Sequence, residues 1–400
     1  MRLVVRAAEV LGARRLIDVT GAHVDSCLYH GTASLDFVQR LVDGGARVGI
    51  PTTLNVGALD LLHPERYLGE PRIAERGRVL MDRYRALGAR PTFTCAPYQI
   101  DDARPSLGEQ VAWGESNAIA FCNSVLGART NRYGDFIDIA AAIAGRVPDA
   151  GLHRTEARRA TIVVRLAPDV PRQLRDADVL FPVLGIVLGR RAGSAVGAVD
   201  GLRPGQSEDR LKALGAAAAS SGSVAMFHVV GSTPEAATLA DALQHDAPDR
   251  TELIGIDELR AVRDELSTAS GDQLAAVSLG TPHASLAELE RYAEVFGDRR
   301  VHADVECVVS TGRDVLAVAA GRGVVERLER AGVALLVDTC TYIAPILRNA
   351  RGPVMSDSGK WAYYAPGNIG ASVVFGSTAE CLESAVLGRV VRDLGPWGGA

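Results

Sequence analysis

The sequence predicts an α/β fold in which parallel sheets are flanked by helices, in two or three closely associated subdomains. Short apolar strand patterns alternate with helix patterns through most of the chain, which is typical of parallel sheets with helices packed on them. The 42 glycines and the alanine-rich helical segments allow helices to approach a sheet closely. A length of 400 residues, 47% of them hydrophobic, suffices for more than one globular unit.

The elements of the first half follow from periodicity and from the residues that punctuate it. Apolar runs predict strands, and apolar residues three or four positions apart predict helices. Ser34 is placed to cap a helix, and Gly44 with Gly45 to end it. In chain order these patterns predict a strand over residues 16–27, a helix over 34–42, a strand over 48–54, a helix over 73–87, a strand over 91–95, helices over 109–126 and 136–144, and a strand over 161–166.

The second half resumes the alternation after residues 178–206, which fit neither pattern clearly. Ser285-Leu-Ala-Glu288 has the spacing of a capping box, in which the two side chains bond each other's backbone N–H groups. The predicted strands cover residues 224–230, 252–256, 274–279, 301–309, 334–340 and 372–375. The predicted helices cover residues 234–243, 259–266, 285–296, 314–331 and 378–386. No internal repeat is present, and the Gly/Pro-rich stretch at residues 201–206 is the predicted soft boundary inside a region spanning 1–400.

Composition excludes several classes of protein. The formal net charge of −5 gives no basic surface for nucleic acid or anionic lipid. No apolar stretch reaches the roughly 18 residues that a membrane span needs. Six scattered cysteines do not form a disulfide framework, and no signal peptide is evident. We therefore expect a cytoplasmic protein that binds neither nucleic acid nor membrane.

Lysine is scarce in this chain. Of 43 basic residues only two are lysines, Lys212 and Lys360. A GC-rich genome explains the abundance of arginine without any functional cause. Lysine, however, is a compact point charge whose pKa can fall on burial, whereas arginine is planar and permanently charged. Each lysine is therefore either present by chance or located at a position that requires lysine.

Three cysteines fall where predicted strands end: Cys27, Cys95 and Cys340. Ligands of parallel α/β sheets bind beyond the carboxyl ends of the strands. Three thiols at such positions favour an iron–sulfur or metal site, although no CxxC motif supports it. The other cysteines lie within predicted helices or a strand and are typical of small buried apolar residues; they are Cys122, Cys307 and Cys381.

Two further patterns point to the same end of the sheets. His23 and Asp25 alternate with Cys27 at period 2, which places all three side chains on one side of the predicted strand. Glu115 falls in helical phase with the apolar residue Ile119. Burial of a carboxylate on the apolar face of a helix costs free energy unless the carboxylate is paired with a cation or bound to a ligand. A buried structural ion pair explains Glu115 as well as a functional role does.

A series of motifs, in order from the first predicted strand to the last, resembles the aconitase X family. Each motif alone is weakly specific, but their joint order is highly specific. Both lysines fall in segments typical of the family. The motifs are Val-Asp-Ser-Cys27-Leu-Tyr, Pro51-Thr-Thr-Leu-Asn55, Thr94-Cys-Ala-Pro-Tyr98, Glu115-Ser-Asn-Ala, Asn123-Ser-Val-Leu-Gly-Ala-Arg-Thr130, Gly280-Thr-Pro-His283, Asp338-Thr-Cys340 and Ser358-Gly-Lys-Trp-Ala-Tyr-Tyr364.

The resemblance implies an aconitase-like fold and membership of the aconitase superfamily of hydro-lyases. It implies a large, catalytic subunit that carries an iron–sulfur cluster, with the number of irons left open. The small swivelling domain is absent from this chain, so the resemblance implies a separate small subunit that brings a catalytic serine. Bacterial members dehydrate cis-3-hydroxy-L-proline, and archaeal members dehydrate mevalonate 5-phosphate.

The cysteine pattern favours the bacterial type. Archaeal-type sequences carry a cysteine before Pro-His, where this chain has Thr281, and they lack a thiol at the position of Cys27. The resemblance thus implies Cys27, Cys95 and Cys340 as the cluster ligands. The expected reaction converts cis-3-hydroxy-L-proline to Δ1-pyrroline-2-carboxylate.

The expected roles of the remaining residues follow from this small hydroxy-acid substrate. A cluster iron with an open coordination position would act as a Lewis acid on the departing hydroxyl, and Glu115 or His23 would protonate that hydroxyl. Lys360 is expected to be catalytic and, with Asn55 and Arg129, to meet the substrate carboxylate. Two more residues complete the expected substrate-binding set, Ser358 and Lys212.

Three alternatives remain open at this point. One is a mevalonate 5-phosphate dehydratase large subunit. Another is a cluster-bearing scaffold or sensor without catalysis. A third is a thiol-dependent enzyme with Cys95 as its nucleophile.

Overall fold

The structure, a computed structural model, describes residues 1–349 and 352–398 and contains three parallel sheets in succession. The first sheet has the strand order β3-β2-β4 and lies beside an antiparallel pair, β1 with β5. Its strands are β1 (Leu16–Asp18), β2 (Ala22–Val24), β3 (Thr52–Leu54), β4 (Ala112–Trp113) and β5 (Arg146–Pro148). Its helices are α1 (Arg2–Val10), α2 (Thr32–Asp43), α3 (Pro71–Ala86), α4 (Ser116–Phe121) and α5 (Ile137–Ala144).

The second sheet has the order β8-β7-β6-β9. Its strands are β6 (Ile162–Leu166), β7 (Gly197–Asp200), β8 (Phe227–Val229) and β9 (Arg250–Ile254). Its helices are α6 (Arg172–Arg175), α7 (Leu180–Ala192), α8 (Glu208–Ser221), α9 (Leu239–Ala242) and α10 (Ile256–Glu265). Gly185 of α7 lets that helix approach α8, since a Cβ there would lie 2.3 Å from the carbonyl oxygen of Leu214. Residues 201–206, the predicted soft boundary, connect β7 to α8.

The third sheet has the order β12-β11-β10-β13-β14. Its strands are β10 (Ala276–Ala284), β11 (Glu306–Thr311), β12 (Val333–Leu336), β13 (Pro353–Ser356) and β14 (Ser372–Phe375). Its helices are α11 (Leu286–Phe296), α12 (Arg313–Gly321), α13 (Val324–Arg330), α14 (Gly359–Ile369) and α15 (Thr378–Leu387). The predicted capping box at α11 is confirmed, with Ser285 and Glu288 bonding each other's backbone N–H groups at 3.1 and 2.8 Å.

An irregularity in β10 shapes the carboxyl end of the third sheet. The strand pairs with β11 from Ala276 to Leu279, loses register, and regains it at Ala284. Gly280 has a φ of 78° at this point, and a Cβ there would lie 2.1 Å from the carbonyl oxygen of Ser310. Only glycine fits this position, because it lacks the Cβ that would clash. The irregularity carries residues 281–283 out of the regular ladder.

The predicted α/β class with parallel sheets flanked by helices is confirmed. Several predicted element boundaries were wrong. In the third sheet unit the helix predicted over 314–331 is two helices, α12 and α13, the strand predicted over 334–340 ends at Leu336, and the strand predicted over 301–309 begins only at Glu306. The helix predicted over 234–243 is the short α9, and three further differences lie in the first sheet unit. The strand predicted over 16–27 is two short strands that end at Val24. The helix predicted over 109–126 begins only at Ser116, after β4, and continues into a π-helical turn from Cys122 to Leu126. The segment predicted as a strand over 91–95 is not a regular strand. It hydrogen-bonds to the edge of β3, but side-chain atoms make part of these hydrogen bonds in place of the backbone.

One apolar core lies in the first sheet unit, a second lies on one face of the third sheet, and the largest core joins the second sheet to the other face of the third. All six cysteines are buried free thiols. As predicted, Cys307 lies within a strand, β11, and Cys381 within the last helix, α15. Among the described residues, no helix has both the length and the apolar character needed to cross a bilayer.

Candidate active site

Two thiols and one imidazole meet in the interior, between the carboxyl ends of strands from the first and third sheets. The ligand atoms of Cys95, His283 and Cys340 lie within 4.8 Å of one another, and all three residues are buried. Thiolate sulfur and imidazole nitrogen are donors that iron and zinc sites use. These three residues therefore form a group that could hold a metal ion or cluster.

Threonine side chains position Cys95 beside the edge of the first sheet. Thr92 Oγ1 donates to the carbonyl oxygen of Leu54 and accepts from the N–H of Leu54, both at 2.9 Å. The N–H of Thr94 donates to the same carbonyl oxygen at 3.1 Å. A side chain thus replaces part of the strand ladder, and Cys95 follows at the carboxyl end of this segment.

The irregular end of β10 brings His283 against Cys95. The backbone N–H of His283 donates to Cys95 Sγ at 3.3 Å. Its ring nitrogens contact Thr94 Oγ1 through Nδ1 at 2.9 Å and the carbonyl oxygen of Thr339 through Nε2 at 3.2 Å. In the tautomer whose Nδ1–H donates to Thr94, Nε2 can bind metal in place of its contact with Thr339.

Cys340 lies beyond β12 in a loop that is held from two sides. Asp338 adopts a φ of 65°, and its carboxylate accepts hydrogen bonds from Arg313 at 2.6 and 2.5 Å. Trp361 Nε1 donates to Thr341 Oγ1 at 2.9 Å, which ties the loop to α14. The position of Cys340 therefore depends on contacts that fix residues on both sides of it.

The two thiols differ in their proton affinity. Burial raises the pKa of Cys95, but a hydrogen bond with Cys340 and the nearby charges of His283 and Lys360 outweigh burial and lower it. The same hydrogen bond, followed by burial, raises the pKa of Cys340 well above its ordinary value. Cys95 is thus the thiol that ionises first, and the thiolate is the form that binds metal.

A buried ion pair adjoins the metal-binding group. Lys360 Nζ lies 2.5 Å from Glu115 Oε1, and only 3% and 7% of the two side chains are exposed. Burial lowers the pKa of Lys360, but the carboxylate of Glu115 outweighs burial and raises it well above its ordinary value. Burial likewise raises the pKa of Glu115, but Lys360 reverses the effect and lowers it. At neutral pH the pair is an ammonium and a carboxylate.

Glu115 occupies a backbone position that a regular helix would not give it. Its φ of 66° lies in the left-handed region, where residues other than glycine are uncommon. Its Oε2 accepts from the N–H of Ala118 at 2.7 Å and so caps α4. Asn117 Nδ2 donates both to this Oε2 and to the carbonyl oxygen of Cys95, the latter at 3.2 Å. One amide therefore connects the ion pair to the metal-binding group.

The ion pair faces an open cavity of about 910 Å³. Further ionisable residues on its wall are Asp25, Arg132 and Asp135. The rings of Tyr342 and Tyr364 stack with centroids 5.8 Å apart and give the wall an apolar face. The cavity therefore offers charged groups and a flat apolar surface to one small ligand.

Cys27 lies outside the metal-binding group, contrary to the ligand set that the sequence implied. Its thiol donates to the carbonyl oxygen of Asn55 at 3.1 Å, within the apolar core of the first sheet. The physical reason is the early end of β2 at Val24, after which the chain turns and the period-2 alternation fails. The residue that lies with Cys95 and Cys340 in the structure is His283.

His23 is buried behind the cavity and is absent from its wall. Its Nδ1 contacts Thr53 Oγ1 at 2.8 Å. Burial lowers the pKa of His23 to about 4, although the charge of Glu115 opposes this. The ring is neutral at physiological pH and lies where it supports the first sheet.

The residues predicted to meet the substrate carboxylate have different positions. Asn55 donates from Nδ2 to Asp25, which lines the cavity. Arg129 instead uses its guanidinium to hold a loop, donating to the carbonyl oxygen of His153 at 3.1 Å and to Thr155 Oγ1 at 2.9 Å. The structure therefore brings Asn55 to the second layer of the site and does not bring Arg129 to it.

Ser358 and Lys212 face a separate, smaller cavity of about 110 Å³. Ser358 caps α14 by accepting from the N–H of Trp361 at 3.0 Å, and Lys360 lies in the first turn of that helix. Lys212 lies on α8, as predicted, between the carboxylates of Glu288 and Asp209. Burial lowers the pKa of Lys212, but these carboxylates raise it well above its ordinary value.

We expect Lys212→Met to destabilise the fold by about 3 kcal/mol, because it leaves Glu288 and Asp209 partly buried without their cation. Urea unfolding of the two proteins measures the difference. Lys212→Arg serves as the matched control, since it keeps the charge and should lose less stability. An unchanged midpoint in Lys212→Met would show that the cluster contributes nothing to folding.

Sequence reasoning missed several residues of the site. In the sequence His283 is part of a motif, but the strand-end pattern of thiols does not mark it as a ligand. The period-2 pattern aligns Asp25 with Cys27 but does not reveal its burial. Burial, aided by Glu115, raises the pKa of Asp25 to about 8. Arg132 and Asp135 lie in a loop without any pattern that marks them.

Family models match the chain in three consecutive segments. The first domain of aconitase X matches residues 1–156, the second domain residues 160–264 and the third domain residues 274–387. The chain belongs to the aconitase X family. The predicted family is thereby confirmed.

Curated aconitase X relatives fall into two named groups. The chain is 42% identical to the cis-3-hydroxy-L-proline dehydratase of Pseudomonas aeruginosa, over 99% of this chain and 68% of that protein. It is also 42% identical to the enzyme of the same name from Hypocrea jecorina, over 96% of this chain and 65% of that protein. It thus spans about two thirds of the length of these two relatives. The phosphomevalonate dehydratase large subunit of Thermococcus kodakarensis is 35% identical, over 91% of this chain and 89% of that protein.

The fold is also similar to a solved aconitase X. The crystal structure of Thermococcus kodakaraensis aconitase X in its holo-form superposes with a TM-score of 0.84 at 32% sequence identity. The match covers 96% of this chain and 94% of that chain. The aconitase X architecture therefore extends over nearly the whole chain.

Proposed function

We propose that this chain is the large, cluster-bearing subunit of a hydro-lyase that converts cis-3-hydroxy-L-proline to Δ1-pyrroline-2-carboxylate. The observation that carries the proposal is the connection, through one asparagine, between a buried Cys–His–Cys group and an ionised Glu115–Lys360 pair on a cavity wall. The chain is 42% identical to relatives named for this substrate and 29–37% identical to the phosphomevalonate dehydratase large subunits, which supports this substrate over mevalonate 5-phosphate.

The reaction removes one water from adjacent ring carbons. The proton leaves C2, beside the carboxylate, and the hydroxyl leaves C3, which forms an enamine that tautomerises to the Δ1 imine. The hydroxyl is a poor leaving group, and the C2 proton is weakly acidic. The site must therefore stabilise the departing oxygen and provide a base on the other reacting carbon.

An iron–sulfur cluster fits the donor set of the buried group. Cys95 and Cys340 offer thiolates, and His283 offers an imidazole nitrogen whose ring partner, Thr94, can accept the other N–H. These three residues would hold the cluster. When bound, the cluster supplies a Lewis acid for the substrate hydroxyl.

Lys360 and Glu115 act on the same side of the substrate. The ammonium of Lys360 donates a hydrogen bond to the departing hydroxyl oxygen, because its position on the cavity wall leaves it accessible to a ligand there. Glu115 holds that ammonium in place and keeps the proton on Nζ. Asn117 keeps Glu115 aligned with the backbone of Cys95.

A small subunit completes the site in this proposal. Relatives of this chain are named large subunits, which implies such a partner for them. By family resemblance its serine is the base that takes the C2 proton. The buried free thiols are compatible with a reducing cytoplasm, where we place the enzyme.

We expect the purified chain alone to be folded but nearly inactive, and to gain full activity with the small subunit. The three apolar cores support the fold, whereas the proposed base is supplied by the partner. The test is anaerobic co-expression with a candidate small subunit of the family, iron and sulfide analysis, and assay of both candidate substrates. Full activity of the chain alone would contradict the proposed partner, and activity only on mevalonate 5-phosphate would contradict the substrate.

A further inference from the structure

Two opposite charges on one loop face the cavity. Arg132 and Asp135 lie between the π-helical turn and α5, both are exposed, and both line the 910 Å³ cavity. Among the residues that the structure describes, neither forms an ion pair or a side-chain hydrogen bond. Unpaired charges in a concave site are groups that a ligand can satisfy.

The other charges of the cavity are already engaged. Lys360 is paired with Glu115 at 2.5 Å, and Asp25 accepts a hydrogen bond from Asn55. His30, the remaining basic residue on the wall, lies near Asp135. On the part of the cavity wall that the structure describes, the permanent charges left for a ligand are therefore one guanidinium and one carboxylate.

We propose that Arg132 and Asp135 form a zwitterion clamp, in which Arg132 binds the carboxylate of the substrate and Asp135 binds its ring ammonium. The inference rests on the proposed function and names the groups that recognise its substrate. An imino acid carries both charges on one carbon, which suits two side chains three residues apart on one loop. The stacked rings of Tyr342 and Tyr364 supply an apolar face for the pyrrolidine ring.

The clamp also explains discrimination between the two substrate classes of the relatives. A phosphorylated hydroxy acid carries a phosphate and a carboxylate, so it requires several cations and no anion. The cavity presents one unpaired permanent cation beside an unpaired carboxylate, which repels such a ligand. The charge arrangement therefore selects an amino-acid zwitterion over a polyanion.

The test measures binding, so it does not depend on turnover. The full chain with its small subunit is titrated calorimetrically with L-proline and with pyrrole-2-carboxylate, whose ring nitrogen carries no positive charge. We expect Arg132→Gln to weaken both ligands by about tenfold or more, because both have the carboxylate. Asp135→Asn should weaken L-proline by a similar factor and change pyrrole-2-carboxylate by less than about twofold.

Matched controls are Arg85→Gln and Asp82→Asn, which remove the same charges from an exposed ion pair on α3 and should bind both ligands as the wild type does. Thermal unfolding of each variant checks that the fold is intact. Equal effects of Asp135→Asn on both ligands, wild-type binding by either loop variant, or no L-proline binding to the wild type would each overturn the clamp. If the variants show the expected binding pattern but the wild type does not dehydrate cis-3-hydroxy-L-proline, only the proposed function is overturned and the clamp stands.

Discussion

Cys95→Ala and Cys340→Ala are each expected to abolish both the visible absorbance of the iron-loaded protein and its turnover. Each variant removes one thiol of a group that has only two, and the remaining imidazole and thiol cannot retain a cluster between them. Absorbance spectra and iron and sulfide content, measured after anaerobic purification, test this without reference to activity.

Cys381→Ala is the matched control, because that thiol is buried on α15 outside the metal-binding group. It should keep both properties. The same series tests which residue is the third ligand of the cluster. His283→Ala should lose iron, and Cys27→Ala should keep it. Loss of iron in Cys27→Ala with retention in His283→Ala would restore the set of three thiols that the sequence implied, and retained absorbance in Cys95→Ala would remove Cys95 from the ligands.

Lys360→Arg is expected to lower kcat/KM by about 10²-fold or more while leaving folding and iron content near normal. Lys360 is almost fully buried and lies 2.5 Å from Glu115, so the larger guanidinium cannot occupy the same space. The loss corresponds to roughly 2.7 kcal/mol of transition-state stabilisation. Kinetics are compared at matched iron content, so that loss of the cluster cannot imitate a defect in turnover.

Lys212→Arg provides the comparison for Lys360→Arg, because it makes the same change at the other lysine of the chain. Lys212 faces a different cavity and contacts Glu288 and Asp209, so its replacement should reduce turnover less. Wild-type turnover in Lys360→Arg would show that the scarcity of lysine is a property of codon usage and that Lys360 has no special role.

The sequence predicts the fold class because alternation and capping are local signals. Ser285 and Glu288 illustrate this, since four consecutive residues contain both halves of the capping box. The predictions fail where bonding is not local. The helix proposed over 109–126 begins late because Glu115 adopts a left-handed φ, which is stabilised by contacts with Lys360, 245 positions away in the chain.

The candidate site, like the fold, is predictable where its signals are local and not where they depend on contacts between distant residues. Strand-end thiols and an isolated lysine are visible in a linear chain, and the structure brings Cys95, Cys340, Glu115 and Lys360 together. The irregularity that turns His283 inward requires close packing of Gly280 against β11, which no periodicity reveals. Arg132 illustrates the other limit, since only the folded cavity distinguishes it from forty other arginines.

The metal-binding group joins segments that the ribosome makes at widely different times. Cys95 belongs to the first sheet unit, whereas His283 and Cys340 belong to the third, and the Glu115–Lys360 pair spans the same junction. A nascent chain cannot offer a complete set of ligands until its last third has emerged and docked. Loading of the proposed cluster would thus be a late event, and a bound cluster would act as a cross-link between the two ends of the molecule. Oxidative loss of that cross-link would loosen the junction before it unfolded either unit.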